Sequence, residues 1–290
     1  MKFLTKKILA TGLALGLFMP LSVSADAQPG DRIITLGANL TEEQKNMLLS
    51  EMKATQNEEI ITVTNDEEHK YLGSYISKRL IGTKAISSSS ITLGKKASGL
   101  KVETKNINWV TNEMYVNALI TAGVKDAEIY VTSPIPVSGT AALTGLIKAY
   151  ELSSDKVIPE DVKQAANEEM VKTATLGDQI GTEEATALMT RIKEEMAKNP
   201  PETEEELKAL IENAAKELGL TLNEAQIQSL IDLFNKLKEL NIDWNQVGDQ
   251  LNQAKEQLDA FLSSEEGQTF LEKLKEVFIS LIDAIKALFK

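Results

Sequence analysis

A chain of 290 residues is long enough to bury a sizeable core, and with no cysteine it must hold that core by packing alone. The lack of thiols excludes a cysteine nucleophile, a disulfide framework and a lipid-modified cysteine. The single histidine, His69, leaves little room for imidazole chemistry. A net charge of −12 argues against nucleic acid as a partner, because phosphate backbones repel an acidic surface.

Lys2, Lys6 and Lys7 precede an apolar run from Ile8 to Met19, shorter than the roughly 20 apolar residues of a membrane span. Pro20 breaks the run, and small-x-small sites end at Ala25 and Ala27. Residues 1–27 therefore read as a secretory signal peptide cleaved after Ala25 or Ala27. Cleavage after Ala25 removes three lysines and no acid, which takes the charge from −12 to −15. The mature chain is expected to be secreted, extracellular or associated with the cell wall, without a transmembrane span.

Residues 28–152 alternate short β-branched runs with helical patterns, which predicts an α/β or α+β domain: a mixed sheet of about four to five strands with flanking helices. The strands expected are Arg32 to Leu36, Glu59 to Thr64, Ser89 to Leu93, Leu100 to Thr104 and Ala127 to Thr132. The third and fourth, joined by Gly94 to Gly99, read as a hairpin, and Pro134 and Pro136 read as the end of the fifth. Thr41 to Gln44 reads as a capping box for a helix burying Met47, Leu48, Met52 and Ala54. Asn65 is expected to cap the next helix, with Tyr71, Leu72, Tyr75 and Ile76 on its face. A helix from Thr111 to Ala122 stops at Gly123, and one from Gly139 to Leu152 closes this half.

Beyond Ser153 the strand-like runs cease and an all-α helical bundle is expected. Residues 153–201 read as connecting helices, one led by Pro159 and one from Thr182 to Lys198. Residues 202–290 read as the bundle itself. Capping boxes at Thr203 to Glu206 and at Asp243 to Gln246 open helices whose apolar residues recur at three and four steps, and a last helix runs from about Glu265 to Phe289.

The chemistry-bearing residues are sparse. His69 sits beside Glu67 and Glu68 on a predicted helix turn that faces solvent. Ser-x-x-Lys strings at Ser50, Ser98 and Ser153 have no second supporting motif. Zinc lacks nitrogen and sulfur ligands. No cofactor is expected: calcium would find carboxylates at Glu58-Glu59, Asp66-Glu67-Glu68 and Glu204-Glu205-Glu206, but no Asp-x-Asp-x-Asp-Gly loop. The strand-to-helix loop at Ser138, Gly139 and Thr140 offers backbone N–H groups and two hydroxyls as a ligand or anion loop; plain helix capping is the competing account. The stripe Phe270, Leu274, Phe278, Leu281, Ile285 and Phe289 is wide enough to be a partner or membrane face, against which stands packing within the bundle.

The strings Gly37-Ala38-Asn39-Leu40, Thr64 to Gly73, Ser87 to Ile91, Asn117-Ala118-Leu119 with Thr121 to Val124, and above all Val137-Ser138-Gly139-Thr140-Ala141-Ala142-Leu143-Thr144-Gly145 resemble the YpuA-like family. That family comprises secreted proteins of Gram-positive bacteria whose domain has no assigned function. The resemblance covers the mature chain, implies an extracellular or cell-envelope setting, and supplies no catalytic residues. The expectation is thus a non-enzymatic exported protein acting by binding or association with an unknown envelope or extracellular partner. The alternatives are an envelope hydrolase or transferase working with carboxylates alone, and a membrane-surface protein acting through the last helix.

Overall fold

The structure, a computed structural model, describes residues 28–56, 58–154 and 156–263, and only the backbone of residues 79, 80 and 257–263. The expected signal peptide and the stripe from Phe270 to Phe289 lie outside the described residues.

The β-branched runs form one five-stranded sheet in the order β2-β1-β3-β5-β4: β1 (Arg32–Gly37), β2 (Glu59–Val63), β3 (Ser88–Leu93), β4 (Leu100–Ile107) and β5 (Ala127–Val137). β1 lies parallel to β2 and β4 parallel to β5, whereas β3 runs antiparallel to both β1 and β5. The hairpin expected between β3 and β4 does not form, because β5 sits between them. Two facts explain this. The connection from Gly94 to Gly99 is long enough to step over one strand, and it is tied to the start of β5, where Gly99 N–H donates to Asp126 Oδ1 and Ala127 N–H to the Gly99 carbonyl. The better-buried strand, with Ala127, Ile129 and Val131 covered, takes the interior, and the alternating Lys101 and Glu103 of β4 suit an edge.

β5 also continues past Pro134 and Pro136 to Val137, further than predicted. Its pairing with β3 ends at Thr132, so from Ser133 onward one side of the strand is free and a missing proline N–H breaks no ladder there. Opposite, β4 is interrupted at Asn106, which adopts φ 58° and donates its amide to the Ser133 carbonyl at 2.8 Å.

Helix α1 (Glu42–Glu51) covers one sheet face through Leu48 and Met52, packed on Ile34 and Leu36. Met47, expected in that core, is 46% exposed, since Leu48 already occupies the inward position of its turn. α1 is pinned by Glu51, which accepts from Thr132 at 2.6 Å, Tyr130 at 2.9 Å and Lys105 at 2.6 Å. Burial pushes the Glu51 carboxyl up, but these donors hold it below its usual range.

The other face carries α4 (Asn112–Thr121) and α5 (Thr140–Ser154), whose buried sides pack on Ile33, Ile91, Ile129 and Val131. α2 (Asn65–Leu72) and the short α3 (Lys78–Ile81) flank this layer. The cap of α2 is Thr64, not Asn65: its hydroxyl accepts from Glu67 N–H while Glu67 returns to the Thr64 N–H, a complete capping box.

The helical half comprises α6 (Glu160–Ile180), α7 (Thr182–Lys198), α8 (Glu204–Glu217), α9 (Glu224–Glu239) and α10 (Trp244–Ser263). Their apolar stripes meet in a second core around Leu188, Ile192, Ile211, Leu230 and Phe234. α10 turns back to the first core, where Val247 and Leu251 pack with the residues of α4. α6 belongs to both cores, contributing Ala166, Met170 and Ala174 to one and Ala165 and Leu176 to the other.

The seam between the halves, largely apolar, holds a buried polar cluster. Lys193 of α7 donates to Glu169 of α6 at 2.9 Å, and to Thr121 and the Asn117 carbonyl of α4 at 2.7 Å each; Thr121 in turn bonds the second oxygen of Glu169. Their side chains are 0% and 1% exposed, so neither charge is solvated except by its partners. Burial lowers the Lys193 pKa, against the pull of Glu169.

Two outcomes follow from this packing. A Cβ on Gly37 would stand 2.7 Å from the backbone at both Ala85 C and Ile86 Cα, which no side-chain movement relieves. Gly37→Ala should therefore cost about 2 kcal/mol or more of unfolding free energy in urea titration, while the neighbouring exposed position tolerates Ala38→Ser. Lys193→Met strands a buried carboxylate and should cost about 3–5 kcal/mol, whereas the Glu169→Leu/Lys193→Met double variant should recover at least half of that loss.

Candidate binding cleft

Three consecutive buried polar residues on α6 organise the molecule. Asn167, Glu168 and Glu169 are 0%, 6% and 0% exposed, and successive residues of a helix point about 100° apart. Glu169 meets Lys193 on α7. Glu168 meets Lys236 of α9 at 2.7 Å, and Lys236 also donates to the Tyr75 hydroxyl at 2.8 Å. Asn167 looks a third way, into a cleft of about 250 Å³ between α2, α5 and α6.

The walls of this cleft are charged and paired. Lys148 of α5 bonds Glu67 of α2 at 2.7 Å, and Lys163 of α6 pairs with Glu151 of α5 at 2.7 Å. Burial pushes the Glu67 carboxyl up, but Lys148 and the Thr64 cap hold it below the usual carboxylate range. Tyr71 and Ile147 complete the lining. The Tyr71 hydroxyl donates to Glu160, which also pairs with Lys70, so the mouth of the cleft is tied from α2 to α6.

The floor is different. Asn167 donates its amide to the Lys163 carbonyl at 2.8 Å, but its Oδ1 has no hydrogen-bond partner, and neither does the Thr144 hydroxyl on α5. Thr144 is 5% exposed, so both atoms are withdrawn from bulk water. Buried acceptors and hydroxyls are ordinarily satisfied, and such atoms lining a cleft mark a place where a ligand or water completes the bonding.

The predicted loop at Ser138, Gly139 and Thr140 lies at the start of α5. Gly139 adopts φ 92°, and a Cβ there would stand 2.5 Å from both the Ile107 side chain and the Tyr115 hydroxyl. That hydroxyl donates to the Gly139 carbonyl at 2.5 Å. Thr140 donates to Glu68 Oε1 at 2.6 Å, and the Ser138 and Thr140 hydroxyls stand 3.2 Å apart. A carboxylate of the chain itself thus takes the Thr140 hydroxyl that sequence offered to an anion. Glu68 is 2% exposed, and burial pushes its carboxyl above the usual range although Thr140 and Asn65 donate to it.

His69, expected to face solvent, is half-buried, with Nε2 3.1 Å from the Gly82 carbonyl, a contact that holds α2 to the end of α3. Among the described residues no three His, Asp or Glu side chains stand close enough to hold a metal ion, and no helix is long and apolar enough to cross a membrane.

The cleft residues escaped the sequence reading because Thr144, Asn167 and Lys163 come from helices whose approach no spacing reveals. One signal was present. Lys193 falls on the stripe of Met189 and Met196, and Glu169 lies seven residues after Val162, so each charge sat on an apolar face.

Glu68 sets a pH signature. Its folded pKa lies above the unfolded value of about 4.5, so the folded state binds the extra proton and stability falls as pH rises through the folded pKa. Glu68→Gln, neutral throughout, should remove this loss: the stability of the variant relative to the natural chain should rise from pH 4 to pH 7 in denaturant titrations.

The chain matches the family model described as "Protein of unknown function (DUF1002)" over residues 36–254. It is 54% identical over 275 residues to "Uncharacterized protein YpuA" of Bacillus subtilis (strain 168), a match covering 94% of this chain and 95% of that protein. No solved structure matches. The family match spans both cores except the first strand's share, and the whole of the cleft, and the chain belongs to the DUF1002 family of YpuA-like proteins.

Proposed function

We propose that this protein is exported to the cell envelope or the extracellular space and works there by binding, without catalysing a reaction, through the cleft between α2, α5 and α6. The observation that carries this reading is the contrast between floor and walls: unpartnered buried polar atoms below, mutually neutralised charges around them. Such a site can receive hydrogen bonds but has no side chain poised to move a proton. The carboxylate-only hydrolase would ask for two acids in one cleft, one of them protonated. Here Glu67 and Glu151 give their oxygens to lysines, and Glu67 is held as an anion. The one carboxyl pushed upward among the described residues, Glu68, is engaged by Thr140 and Asn65 and does not line the cleft.

Export is supported by the basic start, apolar run and small-x-small sites of residues 1–27. Protein recovered from the culture medium or wall fraction should begin at Asp26 or Gln28 on N-terminal sequencing. When incubated with isolated Gram-positive cell walls, membranes and secreted proteins, it should be retained by one of these fractions. Complete recovery in the unbound fraction, at low and high salt and with or without calcium, would count against binding as its role.

A further inference from the structure

The geometry points to a ligand class: we propose that the cleft takes a neutral polyhydroxylated molecule, a single sugar ring or its N-acetylated form, held at its floor by Thr144 and Asn167. This rests on the binding reading above and adds the chemistry of what is bound.

Charge decides first. The four ionic side chains of the lining, Glu67, Glu151, Lys148 and Lys163, cancel in pairs. A carboxylate or phosphate entering the cleft would meet two glutamates and the lone pairs of Asn167 Oδ1. An ammonium group or metal ion would meet two lysines. Either would have to break an existing pair and leave a half-buried charge behind, which is the costly outcome. A neutral ligand leaves both pairs intact.

Hydrogen bonding decides next. Asn167 Oδ1 can only accept, and the Thr144 hydroxyl can donate or accept. Hydroxyls and amide N–H groups supply the donors and acceptors these atoms lack; an apolar ligand supplies neither and would seal the defect in place. Ile147 and the Tyr71 ring supply apolar surface for the C–H face of such a ring. Size agrees, since about 250 Å³ lies below the range of sites for drug-sized ligands and admits one ring but not a folded peptide.

The mature full-length chain can be tested by two-dimensional NMR, following the Asn167 side-chain amide during titration with glucose, N-acetylglucosamine and glycerol, and separately with glutamate, glycine, inorganic phosphate and calcium. At least one sugar should shift that signal with a Kd in roughly the millimolar range, as expected for a ligand of this size. Thr144→Val removes a hydroxyl with no internal partner, so thermal stability should hold or rise, while sugar affinity falls at least about tenfold. Thr144→Ala serves as a second variant with the same expected loss. If a charged probe shifts Asn167 and no sugar does, the ligand class is wrong while the cleft remains a binding site. If no probe shifts it, the inference is overturned and the floor holds water only. Retention on cell walls unchanged in Thr144→Val would then place the binding surface elsewhere on the chain.

Discussion

The fold depends on burying one ion pair. Lys193 and Glu169 are both withdrawn from water, and a charge so placed is tolerated only when partners surround it. The partners come from three helices: α7 supplies the lysine, α6 the glutamate, and α4 the Thr121 hydroxyl and the Asn117 carbonyl. Hydrophobic burial gives the cores their stability, but apolar stripes slide with little penalty, whereas a desolvated charge accepts one register. The pair therefore acts as a registry device more than as a source of net stability.

Its consequence for the cleft runs through α6. Fixing the rotation of that helix at Glu169 also fixes its neighbours. Glu168 is brought to Lys236 of α9, and Asn167 is turned into the space between α2 and α5. The carboxamide is held by its own bond to the Lys163 carbonyl, which leaves the oxygen as the free end. The opposite wall is set by the start of α5, where Thr140, Glu68 and Tyr115 anchor the helix against α2 and α4, so that Thr144 one turn later reaches the same floor. A site prepared in this way costs little ordering on binding, the condition under which a few hydrogen bonds can hold a small ligand.

Much of the fold was legible in the sequence because local signals were consistent. β1, β2 and β3 fall within a residue of their expected limits, α7 spans the predicted Thr182 to Lys198, and Thr41, Thr203 and Asp243 each accept the backbone N–H expected of a cap; the box closes at Thr41, whereas the Glu206 carboxylate takes the Glu202 N–H and not that of Thr203. Sheet order was not legible: β3 and β4 look like a hairpin locally, and only the burial of β5 decides that it separates them. The site was least legible of all. Asn167, Glu168 and Glu169 resemble a solvated helix face, yet Glu168 and Glu169 are engaged by α9 and α7 and Asn167 lies at the floor of a cleft, so tertiary packing overrides the polar pattern. At the Ser138 to Thr140 loop, which drew attention through its small residues, both hydroxyls are engaged within the chain, while an unpartnered hydroxyl lies one turn further along α5, at Thr144.

The two cores form one cooperative unit locked through α6, and native-state amide hydrogen exchange measures whether they open together. Amides of α4, α6 and α7 should exchange only through global unfolding, with the same opening free energy and denaturant dependence as the central strands β1, β3 and β5. A lower-energy opening in which α6 to α9 exchange together while those strands stay protected would contradict it, because the cleft would then be a joint between independent bodies and not a preformed site.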